Sequence, residues 1–189
     1  MVFLFTFLSI IAASFKLLAA QCGSSYAGNV GNLLSLDSFW NPIWGDHFYT
    51  TNGTEKAAVN NVNGYVNENL SLGRLATSQF DSACASSCLL EMTRTYFYGS
   101  GLNLLNPISR NHYYTVLLSE VNQSYLFGAV YDTIAGYCTP NATCGATIPL
   151  YRYFNVDNFD HMLITDNTIR TEAENLGYVE EAIVCYIWA

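Results

Sequence analysis

The segment Ile148–Ala189, which reads IPLYRYFNVDNFDHMLITDNTIRTEAENLGYVEEAIVCYIWA, is the best guide to the fold because a weaker form of it occurs twice earlier in the chain. The chain has three histidines, each preceded by an Asp or Asn, and a glycine lies sixteen or seventeen residues after each histidine. Such coincident spacing indicates an internal repeat of about 40 residues. The landmarks are Asp46-His47 with Gly64, Asn111-His112 with Gly128, and Asp160-His161 with Gly177.

The predicted repeats span residues 36–76, 102–138 and 148–189. In each repeat, β-branched and aromatic runs on either side of a turn predict two strands. A short helix and a third strand follow, and we expect the glycine of each repeat to end its helix with a positive φ. The turn is favoured by an asparagine five residues before each Asp/Asn-His pair, namely Asn41, Asn106 and Asn155.

A unit of this size cannot bury its apolar face alone, so the repeats must pack on one another. The sequence therefore predicts a β-rich fold with short helices, in which three internal repeats form a pseudo-threefold closed assembly, trefoil-like or small propeller-like. Residues 21–35 are predicted to form a leader. Residues 77–100 interrupt the repeat, and we expect a helical insertion there, pinned by disulfides through Cys84 and Cys88. The size of the chain predicts one domain over residues 21–189.

Residues 1–20, MVFLFTFLSIIAASFKLLAA, are apolar apart from Lys16. Small residues precede Gln21, which is typical of a secretory signal peptide cleaved near Ala20. An uncleaved signal anchor is the alternative, because no basic side chain precedes the apolar run. The prediction is a secreted, extracellular protein that has no membrane association once the signal is removed.

All the cysteines lie beyond the proposed cleavage point, and an even number in an oxidising compartment predicts a disulfide framework. Their pairing is open from the sequence, because six cysteines allow fifteen connectivities. The bridge we expect first joins Cys138 to Cys144, which flank the short segment TPNAT. The six cysteines are Cys22, Cys84, Cys88, Cys138, Cys144 and Cys185.

Four Asn-x-Ser/Thr sequons predict N-glycosylation of a secreted protein. A glycan needs a solvent-exposed asparagine, so these positions are also predicted surface. The four asparagines are Asn52, Asn69, Asn122 and Asn141.

The chain is acidic, and losing Lys16 with the signal leaves six basic residues against fifteen acidic ones. This balance argues against nucleic acid and against charge-driven binding to anionic lipid, since both need clustered Lys or Arg. The partners we expect are glycans or extracellular proteins. No cofactor is expected, and no pair of cysteine pairs has the spacing of a zinc ribbon.

Many positions of the repeats follow one pattern. They are Pro149, Leu150, Tyr151, Arg152 and Asn155 at its start, Gly45, Asp46, His47, Phe48, Tyr49, Thr50 and Thr51 in its middle, and Ala135, Tyr137, Glu181, Ile183 and Tyr186 at its end. With these residues the chain resembles a family of secreted repeats of unknown function. The idealised unit of that family reads P-L-Y-R-x-Y-N-P-x-x-G-D-H-F-Y-T-T, then a helix ending in Gly, then E-G-I-A-x-Y. In bacteria such units are accessory modules of secreted peptidases and wall-degrading enzymes, so the resemblance implies binding rather than catalysis.

The Asp/Asn-His pairs have three interpretations. A catalytic dyad is disfavoured, because adjacent residues on a strand point to opposite faces of the sheet. Three histidines meeting on a threefold axis would suit a zinc ion. The favoured interpretation is structural, since a residue present in every repeat builds the repeat. We expect His47, His112 and His161 to be structural equivalents that bond backbone groups, with the Asp or Asn satisfying turn N–H groups and no metal bound.

Exposed aromatic rings beside Asn and Asp suit sugar binding, because rings stack on pyranose faces while polar groups bind hydroxyls. The sequence therefore favours a secreted non-catalytic module that binds carbohydrate or another extracellular ligand. The alternatives are a structural or interaction glycoprotein without a small ligand, and a hydrolase whose site breaks the repeat symmetry. No catalytic residue is predicted. The candidate ligand-binding residues are Tyr49, Tyr114, Asp46, Asn111 and Asp160.

Overall fold

A computed structural model describes residues 32–62, 64–78, 88–98 and 110–189. The predicted signal peptide, most of the predicted leader and the first part of the predicted insertion lie outside these residues. So do Cys22, Cys84 and the predicted turn at Asn106.

The described chain contains nine strands and three helices of ten residues or fewer. We group them into three units by strand order along the chain. Unit 1 comprises β1 (Leu33–Asn41), β2 (Asp46–Thr50), α1 (Gly53–Val62) and β3 (Val66–Ala76). Unit 2 comprises β4 (Leu90–Tyr98), β5 (Arg110–Thr115), α2 (Leu118–Leu126) and β6 (Val130–Cys138). Unit 3 comprises β7 (Ile148–Asn155), β8 (Asp160–Ile164), α3 (Asn167–Asn175) and β9 (Val179–Ile187). The predicted β-rich fold with short helices is confirmed.

Every unit has the same antiparallel topology, with its first strand in the middle and its second and third strands on either side. Units 1 and 2 join through the pair Ala76–Tyr137 into a six-stranded sheet of order β2-β1-β3-β6-β4-β5, curled into a half-barrel. Unit 3 forms a separate three-stranded sheet, β8-β7-β9. Two isolated bridges connect it to the others, Arg74–Trp188 to unit 1 and Thr139–Tyr186 to unit 2.

The predicted start of the second repeat, residue 102, is wrong. Its first strand is β4, whose residues Leu90–Tyr98 lie inside the predicted helical insertion 77–100 and form a strand rather than a helix. The registers agree, because Tyr96 pairs with His112 as Phe154 pairs with His161. Only four residues connect the first two strands in units 1 and 3, whereas eleven lie between β4 and β5. The longer connection carries the pair Asn106-Pro107, which in sequence resembles Asn41-Pro42 of unit 1. Unit 1 also begins earlier than predicted, at Leu33.

The four-residue turns of units 1 and 3 are held by an asparagine side chain at the end of the first strand. Asn41 Oδ1 accepts the backbone N–H groups of Ile43 and Trp44 at 3.0 and 3.1 Å. Asn155 Oδ1 accepts those of Asp157 and Asn158 at 2.9 and 3.1 Å. In units 1 and 3 these asparagines therefore satisfy the turn N–H groups. The prediction that the Asp or Asn before each histidine does so is wrong for these turns.

The helices end at the predicted glycines, where φ is 74° at Gly64, 89° at Gly128 and 88° at Gly177. After α2 and α3 the backbone closes a Schellman motif, for example with Tyr178 N bonded to Ala173 O at 3.0 Å. At the other end of α3, Asp166 Oδ1 accepts the N–H groups of Thr168 and Ile169. The local sequence thus sets both ends of the helix.

One apolar core receives side chains from all three units, and its fully buried members include Leu36, Met92 and Leu150 at matching positions of the three first strands. Within this core a disulfide joins Cys138 of β6 to Cys185 of β9. The predicted Cys138–Cys144 bridge is therefore wrong, because the end of β6 packs against β9. Cys88 and Cys144 are also disulfide-bonded. Among the described cysteines none is a free thiol.

The described part of the chain has no helix with the length and apolar character needed to span a membrane.

Candidate functional site

The Asp/Asn-His pairs connect different units rather than acting within one unit. The buried carboxylate of Asp160 in unit 3 accepts the backbone N–H of His47 in unit 1 at 2.9 Å, and its other oxygen lies 2.6 Å from His47 Nδ1. The carboxylate of Asp46 in unit 1 binds His112 of unit 2 in the same way, at 2.9 and 2.7 Å. Each histidine is thus oriented by a residue of another unit.

A tyrosine supplies a third donor to each carboxylate. Tyr65 donates its hydroxyl to Asp46, and Tyr178 donates to Asp160 at 2.5 Å. Each tyrosine directly follows the glycine that ends the helix of its unit. A carboxylate has enough lone pairs to accept three donors, so both buried groups are fully satisfied.

The third pair, Asn111 of unit 2 with His161 of unit 3, has different chemistry. Asn111 Oδ1 accepts the backbone N–H of His161 at 3.2 Å, and His161 Nδ1 lies 2.9 Å from the amide Nδ2 and 3.1 Å from Oδ1. The other ring nitrogen, Nε2, lies 3.5 Å from Glu181 Oε2. Unit 2 has Ala129 at the position of Tyr65 and Tyr178. Asn111, which has less acceptor capacity than an Asp, therefore also lacks a tyrosine donor.

The electrostatics of these pairs differ accordingly. Burial disfavours the charge on His47, but Asp160 outweighs that effect and raises the pKa of the imidazole. Burial also opposes ionisation of Asp46, but His112 lowers the pKa of its carboxyl. His161 has no carboxylate partner on Nδ1, so burial and the nearby Arg152 lower its pKa to about 3. His161 is therefore neutral at physiological pH.

All five residues predicted to bind a ligand are buried. Tyr49 and Tyr114 are completely inaccessible to solvent, as are the three Asp/Asn side chains of the pairs. The Tyr114 hydroxyl donates to Tyr49 O at 2.8 Å, and the Tyr49 hydroxyl accepts the N–H of Leu163 at 2.9 Å. These side chains hold the units together, and the prediction that the two tyrosines stack on a ligand is wrong.

Two buried arginines connect units, and neither was among the predicted site residues. Arg94 of unit 2 contacts Tyr49 O of unit 1 at 3.3 Å, and Arg152 of unit 3 contacts Tyr114 O of unit 2 at 3.0 Å. Arg94 also pairs with Glu55 of α1 at 2.7 Å. Strand register places the two arginines at equivalent positions, and this recurrence was visible in the sequence as M-T-R-T and L-Y-R-Y.

Unit 1 lacks an arginine at this position, where the register places Ser38. The partner position on the helix also changes, because Glu55 and Glu120 lie five residues after Thr50 and Thr115, whereas Ile169 lies five after Ile164. Ser38 bonds instead to Glu68 of its own unit. The contact of unit 3 with unit 1 is therefore less charged than the other two.

Clefts open above the arginines where neighbouring units meet. Cleft 2–3 has a cavity of about 270 Å³ between units 2 and 3. Its lining includes five aromatic rings, with His161 and two carboxylates among the polar groups. The aromatic residues are Phe97, Tyr113, Phe127, Phe154 and Phe159.

Phe159 is held in cleft 2–3 by an uncommon backbone conformation. Its φ is 53°, in the left-handed region that disfavours bulky side chains. The equivalent residue of unit 1 is Gly45, with φ 63°. The Phe159 ring lies 5.9 Å from that of Phe97 and 5.8 Å from that of Phe154, both edge to face. A strained phenylalanine where glycine would serve the turn is the kind of feature that marks functional sites.

Cleft 1–2, between units 1 and 2, has the same volume of about 270 Å³ but a more charged lining. Arg94 and Arg110 face Glu55 and Asp132 there. Arg110 also lies over the ring of Trp44, with its Cζ 3.5 Å from the ring centroid. The two related clefts therefore offer different chemistry.

No group of three or more His, Cys, Asp or Glu side chains within the described ranges has the arrangement of a metal site. The three histidines each direct Nδ1 to an Asp or Asn of another unit.

Three of the predicted glycosylation sites, Asn52, Asn69 and Asn122, are exposed. Asn141 is half-buried, and its Oδ1 is buried without a hydrogen-bond partner among the described residues. Asn52 also caps α1, because its Oδ1 accepts the N–H of Thr54 at 2.8 Å.

The fold and its clefts define an antiparallel β protein of three like units that contact one another through buried polar pairs. The chain belongs to the family described as Domain of unknown function (DUF5648), which matches residues 22–87 and 91–188. Neither a curated protein nor a solved structure shows significant similarity to it.

Proposed function

We propose that this protein is a secreted, non-catalytic binding module and that it binds carbohydrate in cleft 2–3. The observation that carries the proposal is the lining of that cleft, where aromatic rings surround carboxylates and an imidazole. Aromatic rings pack against the apolar faces of sugars, while a few polar groups orient the hydroxyls. The strained Phe159 supports a ligand role, because the turn itself needs only a glycine at that position.

The three units close into a pseudo-threefold assembly in this proposal. Its support is a cyclic set of backbone pairings at or just beyond the third strands: unit 1 bonds to unit 2 at Ala76–Tyr137, unit 2 to unit 3 at Thr139–Tyr186, and unit 3 to unit 1 at Trp188–Arg74. The Asp/Asn-His contacts run in the same direction from each unit to the next. In such an assembly the clefts between units are equivalent places for binding sites, and each can diverge.

Secretion and glycosylation belong to the same proposal. The disulfide between Cys138 and Cys185 is compatible with an oxidising compartment. Three exposed sequons lie where an oligosaccharide transferase could modify them. We further propose that the protein performs no chemistry on its ligand, because the His and Asp side chains most suited to catalysis are used to connect units.

The test is a glycan array with the mature protein, followed by titration of the best ligands against two variants. Phe127→Ala removes a ring that lines cleft 2–3 and is 60% exposed, so the fold should survive. Leu126→Ala is the matched control, since Leu126 is 85% exposed and does not line the cleft. We expect about tenfold weaker binding for Phe127→Ala and none of that loss for Leu126→Ala.

If the protein binds no glycan on the array, the result would contradict the proposal and favour a structural or interaction protein. Equal affinity of both variants would place the site elsewhere. Mass spectrometry of the bound glycans tests the hydrolase alternative, and we expect their masses to stay unchanged.

A further inference from the structure

The polar floor of cleft 2–3 carries one negative charge more than its arginine neutralises. Glu120 and Glu181 both line the cleft, and of the described lining residues none is Lys or Arg. Beneath them, Arg152 donates Nη1 and Nη2 to Glu120 at 3.0 and 3.3 Å, and Nε to Glu181 at 2.7 Å. Two carboxylates thus share one guanidinium.

Glu181 is the carboxylate with capacity left for a ligand. Glu120 already accepts from Tyr113, Thr115 and Arg152, and its side chain is 28% exposed. Glu181 uses Oε2 for Arg152, while Oε1 has no hydrogen-bond partner among the described residues, and its side chain is 34% exposed. A ligand donor entering the cleft can therefore reach Oε1.

The other groups of the cleft do not offset this charge. His161 is neutral, because its burial and the nearby Arg152 lower its pKa to about 3. The aromatic faces add to the preference, since the π-electrons of a phenyl ring attract a cation placed over it. Phe97, Phe154 and Phe159 are half-buried around the same cavity.

Cleft 1–2 provides an internal comparison. Its Glu55 and Asp132 also share one arginine, Arg94, with contacts of 2.7 and 2.5 Å. There, however, Arg110 lines the cavity as a second cation and balances the carboxylates. Of these two clefts, therefore, cleft 2–3 carries excess negative charge and cleft 1–2 does not.

We propose that cleft 2–3 selects an amino sugar whose free ammonium group binds Glu181 Oε1 while its ring packs against the phenylalanines. This inference rests on the proposed function and names the class of carbohydrate. A neutral or N-acetylated sugar of the same shape leaves the excess carboxylate without a cation, so the site discriminates by charge. Dissolved salt should weaken binding, because the carboxylate is partly exposed.

The experiment is calorimetric titration of the mature protein at about pH 6 with chitosan tetrasaccharide and with its fully N-acetylated counterpart. The two ligands share a backbone and differ in charge. We expect the free amine to bind at least about tenfold more tightly. Glu181→Gln should abolish this preference. Glu180→Gln is the matched control, because Glu180 is the neighbouring carboxylate, pairs with Arg170 and does not line the cleft.

Phe159→Gly separates a ligand role from a structural one. Glycine tolerates the φ of 53° without strain, as Gly45 does in unit 1. Binding should fall by about tenfold while the melting temperature changes little, because relief of backbone strain offsets the lost ring contacts. Retained affinity in this variant would overturn the proposed site.

The outcomes separate this inference from the proposed function. Equal or tighter binding of the N-acetylated ligand overturns the inference and leaves the carbohydrate-binding proposal intact. Binding of neither ligand, with no glycan bound on the array, overturns both. Choline that binds as tightly as the chitosan tetrasaccharide overturns the amino-sugar assignment, because the cation alone would then account for the affinity.

Discussion

The three histidines occupy one position of the repeated unit, yet their surroundings give them different charge. Burial opposes protonation of both rings, but Asp160 raises the pKa of His47, whereas burial and the nearby Arg152 lower the pKa of His161 to about 3. A single change of Asp to Asn, accompanied by the loss of a tyrosine at Ala129, converts one kind of pair into the other. The sequence shows both substitutions without showing that they face the same imidazole.

Substitution of these histidines should therefore have opposite pH dependence. The raised pKa of His47 contributes stability that is fully present below about pH 6.5 and lost as pH rises through the folded-state value. The lowered pKa of His161 means that the unfolded chain alone binds a proton between about pH 6.5 and pH 3, so wild-type stability falls with pH there. We expect the cost of His47→Gln to grow, and that of His161→Gln to shrink, as pH falls from about 9 to about 5.

Urea unfolding at about pH 9, 7 and 5 measures these costs in free energy of unfolding. At neutral pH we expect each variant to lose about 1–3 kcal/mol, because buried hydrogen bonds are lost. Each variant is the control for the other, since both remove an imidazole from the same position of a unit. Parallel pH trends would contradict the assigned charge states.

At the scale of the element, two kinds of glycine matter for different reasons. Gly128 ends α2 with φ 89°, and a Cβ added there would meet nothing within 4 Å. Gly73 lies in β3 with φ 129°, and an added Cβ would lie 2.6 Å from the carbonyl oxygen of Trp188. At Gly128, glycine is needed only for its backbone conformation. At Gly73, glycine is also needed because a side chain would prevent the close approach of β3 to the end of β9.

Alanine substitution separates the two effects. Gly128→Ala should cost about 1 kcal/mol, the price of a left-handed conformation for a residue with a Cβ. Gly73→Ala should cost roughly 3 kcal/mol, because steric overlap adds to the same backbone strain and pushes apart the bridge at Arg74–Trp188. Thermal unfolding compares the two variants, and equal losses would show that the β3–β9 approach is not limiting.

The units contact one another through groups that differ from interface to interface. Arg94 connects units 1 and 2, Arg152 connects units 2 and 3, and Ser38 occupies this position where unit 3 meets unit 1. Units 2 and 3 are in addition covalently connected through the disulfide between Cys138 and Cys185. Stability of the whole molecule therefore depends on a long-range covalent bond as well as on buried polar contacts.

Removing that disulfide with Cys138→Ala and Cys185→Ala together should lower the free energy of unfolding by about 4 kcal/mol, the value expected for closing a loop of this length. The sequence separation is 47 residues. Urea unfolding of the double variant measures the loss, and wild-type protein under non-reducing conditions is the reference. A loss below about 1 kcal/mol would indicate that packing of β6 against β9 dominates their connection.

The features that could be predicted from the sequence are those that depend on interactions between residues close together in the chain. Strand-forming runs, helix-ending glycines and the spacing of the Asp/Asn-His pairs act over a few residues, so they predict a β-rich chain with short helices. The start of unit 2 was not predictable by the same route, because Asn106-Pro107 precedes His112 at the same spacing as Asn41-Pro42 precedes His47.

Which units each side chain connects depends on how the units pack in three dimensions. His47 pairs with Asp160 across 113 residues, and no local pattern specifies that partner. Packing of the units buries Tyr49 and Tyr114, which excludes them as ligand contacts, and brings Phe97, Phe127 and Phe159 to one cleft. A sequence reports the period of its units, but the contacts between units depend on how complete surfaces fit together.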